Sequence, residues 1–377
     1  MRSVELRNAI AGKLEQLERL MQAHPERRRD LAQDCAARGE PRPFPALILR
    51  RDVDIHADEV PERKATGVME PEERLLEQLS AMIDTLETLN PITPTLSFGH
   101  GPGTLAASFG IQVDAELGYQ PRGSLPLEKV LAQGMPDPEQ SGFLPEIRRD
   151  IAAAHDLTPP WIKIGLPDMQ GPFNIAHMIL GDRVFIAPLE EPEAFHAFME
   201  MITGFFLDVQ DRICSWIDLE RFRQFPPSSA RICECSVNLV SAAFYRKHVL
   251  PYDRLIAGHF GSVAIHPCSG PHVFRVTLSE LPVSYTEAGF VDRAAAGAIS
   301  VDDALTEIGQ RPVILGIGQE LPLGREEAFI QRDLDRARMN SRLLFSYTGM
   351  HWKKSDDEMM RAMHQRLDDY WRRSVIG

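Results

Sequence analysis

Near the start of the chain, apolar residues recur every three or four positions among polar ones, and the pattern returns before residue 90. The first series is Leu6, Ile10, Leu14, Leu17 and Met21, with His24-Pro25 after it. The second series is Leu75, Leu76, Leu79, Met82, Ile83, Leu86 and Leu89, with Pro71, Glu72 and Glu73 before it. This spacing predicts two amphipathic helices within a helical extension that covers residues 1–90.

From residue 91 the pattern changes to short apolar runs, most of them separated by helical stretches such as 192–222 and 325–341. The runs lie at residues 92–101, 161–171, 230–236, 262–270, 282–290, 312–320 and 342–349. Apolar strands that alternate with helices are typical of a parallel sheet. These units, with one more strand near "RVFIAPL", predict the α/β class and a TIM-type (β/α)8 barrel over residues 91–377.

Each run ends in small or polar residues, and the chain carries no Gly-x-Gly-x-x-Gly or Walker-type phosphate loop. In a barrel of parallel strands, functional residues lie at the carboxyl ends of the strands. The pattern therefore selects a set of candidate site residues: His100, Asp168, Gln170, Cys233, Glu234, Cys235, His266, Cys268, Glu287, Gln319 and Tyr347.

The sulfur-rich ends of two successive runs, "ARICECS" and "SVAIHPCSG", raise the question of a metal site. Residues two apart on a strand point the same way, so His266 and Cys268 share a face. If the two strands are neighbours, Cys235 can meet both around one ion. Two thiolates and an imidazole with an open fourth position are typical of catalytic zinc. Cys235, His266 and Cys268 are therefore the predicted metal ligands.

The alternative is that these runs are core strands, because cysteine is often buried as a small hydrophobe. The spacing by itself leaves both interpretations open. Cys233, which shares a strand face with Cys235, is expected one layer deeper in the core. Glu234 is expected to face away from them unless a bulge near the strand end turns it inward.

Charge and composition exclude several classes of protein. The net charge of −13 and pI near 5.4 argue against a nucleic-acid surface, which needs clustered Lys and Arg. The N-terminus is charged throughout, and no segment approaches the apolar length of a spanning helix. An odd count of 5 cysteines does not suit a secreted disulfide framework. The chain is therefore predicted to be cytoplasmic and not bound to a membrane.

Several segments resemble the uroporphyrinogen decarboxylase superfamily. They are "PDMQGPFNIAHMILGDRVFIAPLEEPEAFHAFMEMIT" (167–203), "ECSVNLVSAAFYRKHVLPYDRLIA" (234–257), "VAIHPCSG" and "VILGIGQELPLG". The third falls where that superfamily places a strand ending in "HxCG". The similarity covers roughly residues 91–350, with the motifs in the order of the family, and it implies a TIM-type barrel.

The chain resembles one branch of that superfamily more than the other. True uroporphyrinogen decarboxylases show an N-terminal arginine loop and an aspartate at the end of the first barrel strand, and both are missing here. In the zinc- and corrinoid-dependent methyltransferases, "HxC" and a later cysteine bind zinc, which activates a thiol to accept a methyl group from methylcobalamin. His266 and Cys268 match "HxC". The last strand carries Tyr347 in place of the later cysteine, so Cys235 is the expected substitute.

The resemblance and the strand ends together assign expected roles. Asp168 and Glu234 are the expected catalytic residues, although Asp168 is also placed to cap a helix that opens at residue 172. The expected substrate-binding residues are His100, Gln170, Glu287, Gln319 and Tyr347, although His100 also suits the capping of a turn.

Zinc is the expected cofactor, with methylcobalamin or another corrinoid as the methyl donor. The chain has no corrinoid-binding "DxHxxG" motif, so a corrinoid would arrive free or on a separate corrinoid protein. The other expected partner is a small-molecule substrate, and a homodimer is a further option. The alternative function is a cofactor-free decarboxylase that acts on a smaller carboxylate, held by Arg231 and Arg275.

Overall fold

The structure is a computed structural model. It describes residues 2–23, 47–51, 69–87, 93–114, 119–223, 230–266, 271–287, 299–320 and 343–349, and single helical residues between 328 and 369. The predicted helix at 325–341 and the end of the chain lie mostly outside these ranges. Cys268 also lies outside them. The backbone of Gln319 and Tyr347 is described, but their side chains are not.

The helices of the described chain alternate with strands over most of its length. Their bounds are α1 Arg2–Ala23, α2 Pro71–Glu87, α3 Leu127–Gln133, α4 Leu144–Leu157, α5 Pro172–Leu180, α6 Ala187–Glu190, α7 Pro192–Trp216, α8 Ala242–His248, α9 Leu250–Phe260, α10 Pro271–Glu280 and α11 Val301–Ile308. Both helices predicted before residue 90 are confirmed. Their apolar stripes are buried, as Leu17 and Leu79 show with no exposed surface.

The strands form two parallel sheets and one hairpin. Their bounds are β1 Leu47–Arg51, β2 Thr95–Ser97, β3 Gln112–Asp114, β4 Gln120–Arg122, β5 Lys163–Gly165, β6 Phe222–Arg223, β7 Ala230–Cys233, β8 Val263–His266, β9 Val283–Glu287, β10 Ile314–Glu320 and β11 Leu343–Gly349. The strand orders are β1-β11-β10-β9-β8-β7 and β2-β5-β6, with β3-β4 as the antiparallel hairpin.

The α/β class and the parallel sheets are confirmed, and each of the seven predicted runs contains a strand. Among the described residues, an isolated parallel bridge pairs Gln170 with Cys233. Within the described residues the sheets do not close into a barrel, so closure stays a prediction. The bridge matters for the site, because it brings the loop after β5 to the carboxyl end of β7.

The strand predicted at "RVFIAPL" is wrong. This segment forms a 3₁₀ turn, Gly181–Phe185, followed by helix α6. Val184 and Ala187 are buried while Ile186 is 44% and Leu189 69% exposed, which is a helical rather than an alternating pattern of burial. The apolar run therefore forms a turn and a helix, of which only one side is buried.

The N-terminal segment is not purely helical, because β1 pairs in parallel with β11 and extends the six-stranded sheet. The two predicted helices pack on each other, and α2 also packs on α4. There the guanidinium of Arg74 donates two hydrogen bonds of 2.7 Å to the buried carboxylate of Asp150. Within the described residues no helix is both long and apolar enough to cross a membrane. The division of the chain at residue 90 stays a prediction.

Candidate active site

A cavity of about 700 Å³ opens at the carboxyl ends of β7 and β8. Cys233 is the last residue of β7 and pairs in register with His266, the last residue of β8. Two groups of polar residues line the cavity. The first is Arg231, Cys233, Cys235 and His266, and the second is Asp168, Gln170, Asn174, His177 and Ser236.

From the first group, the thiol of Cys235 and the imidazole of His266 connect to the carboxylate of Glu287. His266 Nδ1 hydrogen-bonds to the carboxylate of Glu287, which stands at the end of β9. The His266 side chain also hydrogen-bonds to Cys235. Since Glu287 occupies Nδ1, Nε2 is the nitrogen left to meet the thiol. Tyr285 Oη donates to Glu287 Oε1 at 2.9 Å and Arg231 Nη2 donates to the same oxygen at 3.3 Å, so the carboxylate is held from three sides.

The imidazole of His266 and the carboxylate of Glu287 stabilise each other's charged forms. Burial lowers the pKa of His266, but the hydrogen bond to Cys235 and the carboxylate of Glu287 reverse this and raise it to about 9. Burial also disfavours the charged form of Glu287 and so raises its pKa. The hydrogen bond to His266 and the charges of His266 and Arg231 outweigh this effect and lower the pKa of Glu287 to about 2. At neutral pH the imidazole is therefore protonated and the carboxylate ionised.

The route by which Cys235 reaches the cluster differs from the prediction. The strand ends at Cys233, and Cys235 begins a 3₁₀ turn, Cys235–Leu239. The expectation that Cys233 and Cys235 share one strand face is therefore wrong, because the chain has already left the sheet. Cys233 is buried, as expected, but it also lines the cavity, with Sγ 3.6 Å from Asp168 Oδ1. Burial raises its pKa, so it remains a neutral thiol.

Glu234, expected to be catalytic, does not line the described cavity. Its side chain is completely buried, and its two carboxylate oxygens accept the backbone N–H groups of Phe173 at 3.2 Å and Asn174 at 3.1 Å. These N–H groups belong to the first turn of α5, where no helical acceptor is available. Burial and the nearby Asp253 raise the pKa of Glu234. In the structure Glu234 caps a helix and positions the residues that follow, and its catalytic role stays a prediction.

Asp168, the other expected catalytic residue, is exposed and lines the cavity. The alternative that it caps α5 is wrong, since Gly171 is the N-cap residue and Glu234 supplies the capping oxygens. Asp168 Oδ2 instead accepts a 2.8 Å hydrogen bond from Gln170 Nε2. The structure therefore brings Asp168 and Gln170 together with Cys235 and His266 around one cavity. The catalytic role of Asp168, the substrate-binding role of Gln170 and the metal-binding roles of Cys235 and His266 stay predictions.

His100, an expected substrate-binding residue, also lies away from the cavity lining. Its side chain is only 7% exposed and does not line the cavity. It stacks on Phe143 with ring centroids 3.9 Å apart, and Nε2 lies 3.5 Å from Glu146 Oε2. Its backbone N–H donates to the hydroxyl of Thr104 at 2.9 Å. His100 is thus packed in the core, and its substrate-binding role stays a prediction.

This burial predicts a dependence of stability on pH. Burial, and then the charge of Arg74, lower the pKa of His100 from 6.5 to about 4. The unfolded chain therefore binds a proton between these values that the folded chain does not, so stability falls as pH falls from 6.5 to 4. Relative to His100→Phe, the wild type should lose on the order of 3 kcal/mol more unfolding free energy between pH 7 and 4.

Urea unfolding at both pH values measures this difference. The same substitution at the exposed His259 serves as the control. Equal losses in wild type and His100→Phe would contradict the assignment of His100 as a buried neutral imidazole.

Within the second group, three residues were not anticipated: Asn174, His177 and Ser236. Asn174 and His177 lie three positions apart on α5, so they project from one face of that helix. That spacing was a usable signal, but nothing in it showed which face meets the cavity. Within the described ranges, no group of three or more His, Cys, Asp and Glu side chains is arranged to hold a metal ion.

Comparisons with known proteins support the fold. No protein-family model matches the chain, and no curated protein matches it in sequence. Among solved structures, a methyltransferase from Methanosarcina mazei is similar, with a TM-score of 0.58. The match covers 89% of this chain and 97% of the other, at 13% sequence identity. At this identity the similarity shows a shared fold, and the resemblance to the uroporphyrinogen decarboxylase superfamily stays a prediction.

Proposed function

We propose that this protein is a methyltransferase-like enzyme that uses zinc to activate a thiol or similar acceptor. The methyl group would come from a corrinoid or another methyl donor. The observation that carries the proposal is the meeting of Cys235 and His266 at the mouth of a cavity, with Glu287 on the far nitrogen of the imidazole. The similarity in fold to a methyltransferase supports the same interpretation.

The donor set of the cluster fits zinc. Ligating histidines almost always direct their second ring nitrogen to a carboxylate or carbonyl, as His266 does to Glu287. Cys235 would supply a sulfur beside Nε2, where a metal ion would replace the proton that the pair shares. Cys268, two residues after His266, is the proposed third ligand. Zinc bound there would lower the pKa of an acceptor thiol so that it is held as a thiolate.

The other side chains have consistent tasks in this reaction. Tyr285 and Arg231 hold the carboxylate of Glu287 and so fix the plane of the His266 ring. Asp168 and Gln170 would orient the acceptor by hydrogen bonds from the same cavity. Cys233 stays a neutral thiol and donates to Asp168, so it does not compete as a nucleophile.

The second candidate, a cofactor-free decarboxylase, is favoured by one observation. Arg231 lines the cavity and could hold a substrate carboxylate. Its charge is already shared with Glu287 at 3.3 Å, however, and Arg275 lies elsewhere, paired with Glu307 at 2.6 Å. Activity that survives both His266→Ala and Cys268→Ala would favour this candidate over methyl transfer.

Elemental analysis of the purified protein tests the metal directly. The wild type should hold about one zinc ion per chain, and Cys235→Ser and Cys268→Ser should hold much less, because each removes one of three protein ligands. Cys214→Ser, a change to a free cysteine of α7, is the matched control and should keep the metal. Purified wild-type protein that contains no zinc, cobalt or iron would contradict the proposed metal-dependent function.

A further inference from the structure

The second group of cavity residues forms a continuous chain of hydrogen bonds. Gln170 Nε2 donates to Asp168 Oδ2 at 2.8 Å, and Asn174 Nδ2 donates to Gln170 Oε1 at 2.5 Å. Ser236 Oγ lies 2.5 Å from Asn174 Oδ1, and His177 Nδ1 lies 2.8 Å from Ser236 Oγ. This series of hydrogen bonds thus connects the imidazole of His177 at one end to the carboxylate of Asp168 at the other.

The groups at the two ends of this series independently determine which atom donates and which accepts in each hydrogen bond. An ionised carboxylate only accepts, so Gln170 must present its NH₂ group to Asp168 and its oxygen to Asn174. At the other end, the backbone N–H of Ser236 donates to Asn174 Oδ1 at 2.8 Å, which requires the same orientation of the Asn174 amide. Gln170 and Asn174 are both only 5% exposed, so solvent offers them few other partners.

This order determines the tautomer of His177. The single hydroxyl proton of Ser236 is directed to Asn174 Oδ1, so Ser236 Oγ can only accept from the imidazole. His177 Nδ1 must therefore carry the proton. Burial lowers the pKa of His177, which keeps the ring neutral at pH 7 and leaves Nε2 as an unprotonated base.

The position of Nε2 suits a role in the cavity. His177 lines the cavity beside Ser236, which directly follows Cys235. The nearest carboxylate to Nε2 is Asp182 Oδ1 at 3.9 Å, beyond hydrogen-bond distance and on a side chain that is 99% exposed. At its far end the series of hydrogen bonds reaches the carboxylate of Asp168, where the aligned amide dipoles would stabilise a positive charge formed on His177.

We propose that His177 is the general base of this cavity and removes the proton of the acceptor group. The inference rests on the proposed function for the identity of that group, a thiol. The S–H bond breaks and its proton passes to His177 Nε2, while the sulfur keeps the electron pair. That pair then forms the bond to the methyl carbon, whose bond to the donor breaks with its electrons left on the donor. The proton leaves His177 to solvent after the product departs.

The tautomer can be measured without any assay of activity. In protein labelled with ¹⁵N-histidine, long-range ¹H–¹⁵N spectra distinguish a protonated ring nitrogen from an unprotonated one, and His177→Gln assigns the signals. We expect the Nδ1–H tautomer at pH 7 in the wild type, and loss of this preference in Ser236→Ala. An Nε2–H tautomer or a charged ring in the wild type would overturn the proposal.

A kinetic comparison tests the role of base. With methylcobalamin as donor, His177→Gln should slow methylation of 2-mercaptoethanol by about 100-fold or more, the usual scale of a general base. Methylation of 4-nitrothiophenol, which is already a thiolate at pH 7, should change little. His259→Gln is the control for both thiols. Equal losses for the two thiols would show a role in positioning only and overturn the assignment.

The spectra and the kinetic comparison together distinguish a failure of the proposed function from a failure of the assignment of His177. If the wild type methylates neither thiol when loaded with zinc, the proposed function fails. The assignment of His177 as a base is then decided by the spectra: the Nδ1–H tautomer and its dependence on Ser236 support it, and the other tautomer overturns it.

Discussion

Under the proposed function, replacing His266 by alanine should remove methyl transfer from methylcobalamin to a thiol almost completely. The change deletes the imidazole that stands between Cys235 and Glu287, and with it one of three proposed zinc ligands. Loss of an outer carboxylate typically costs 10- to 100-fold in activity or metal affinity, so loss of a ligand should cost more than roughly 100-fold. The rate is measured by the absorbance change of methylcobalamin, together with the zinc content of the variant.

The cluster offers graded controls for this result. Glu287→Gln keeps the imidazole and weakens only its orientation, so it should fall between wild type and His266→Ala, about 10- to 100-fold below wild type. His259→Ala removes an exposed imidazole from the surface of α9 and should match the wild type. A rate for His266→Ala within a few fold of wild type would show that the cluster does not perform the reaction.

The largest expected effect on stability belongs to Gly171→Ala. A Cβ atom at this position would lie 2.0 Å from Glu234 Oε1 and 2.3 Å from its Cδ. The backbone at Gly171, with φ −68° and ψ 162°, is open to any residue, so only this close approach requires glycine. The carboxylate cannot move aside without leaving the N–H groups of Phe173 and Asn174. The unfolding free energy should fall by about 3 kcal/mol or more.

A double substitution identifies the cause. Glu234→Ala alone should cost about 1–2 kcal/mol, because it removes the cap of α5. It also removes the atoms that the new methyl group of Gly171→Ala would strike, so the double variant should lose clearly less than the sum of the two single losses. Gly258→Ala is the matched control: it lies exposed within α9 with no atom within 4 Å of its Cβ position, and should gain stability. Additive losses from urea unfolding would contradict the proposed clash.

The hydrophobic pattern predicted most of the described strands, because a buried parallel strand needs a short apolar run wherever it stands in a sheet. It failed at "RVFIAPL", where Ile186 and Leu189 are exposed on a turn and helix. It also missed β1, whose residues "LILRR" sit in a charged and proline-rich passage. Their membership in the sheet follows from pairing with β11, almost 300 positions further along the chain.

The site was predictable where position along a strand decides it. Asp168, Gln170 and Cys235 follow the ends of strands, and His266 is the last residue of its strand. Parallel strands bring their carboxyl ends to one edge. The roles of Glu234 and His100 were not predictable in this way. A glutamate beside two cysteines has the same local sequence whether it faces a cavity or caps a helix. The difference lies in contacts with Phe173 and Asn174, about sixty positions away.

By itself, then, the sequence determined the class of fold, the order of its elements and the edge at which polar residues collect, since these depend on the period of local patterns. Only the tertiary structure decided which polar side chains share the cavity and in which protonation state. It placed Glu287 behind His266, buried Glu234 under α5, and aligned His177 with Asp168 through three intervening residues. Such arrangements depend on burial and on hydrogen bonds between segments that are distant in the chain, and no local pattern records them.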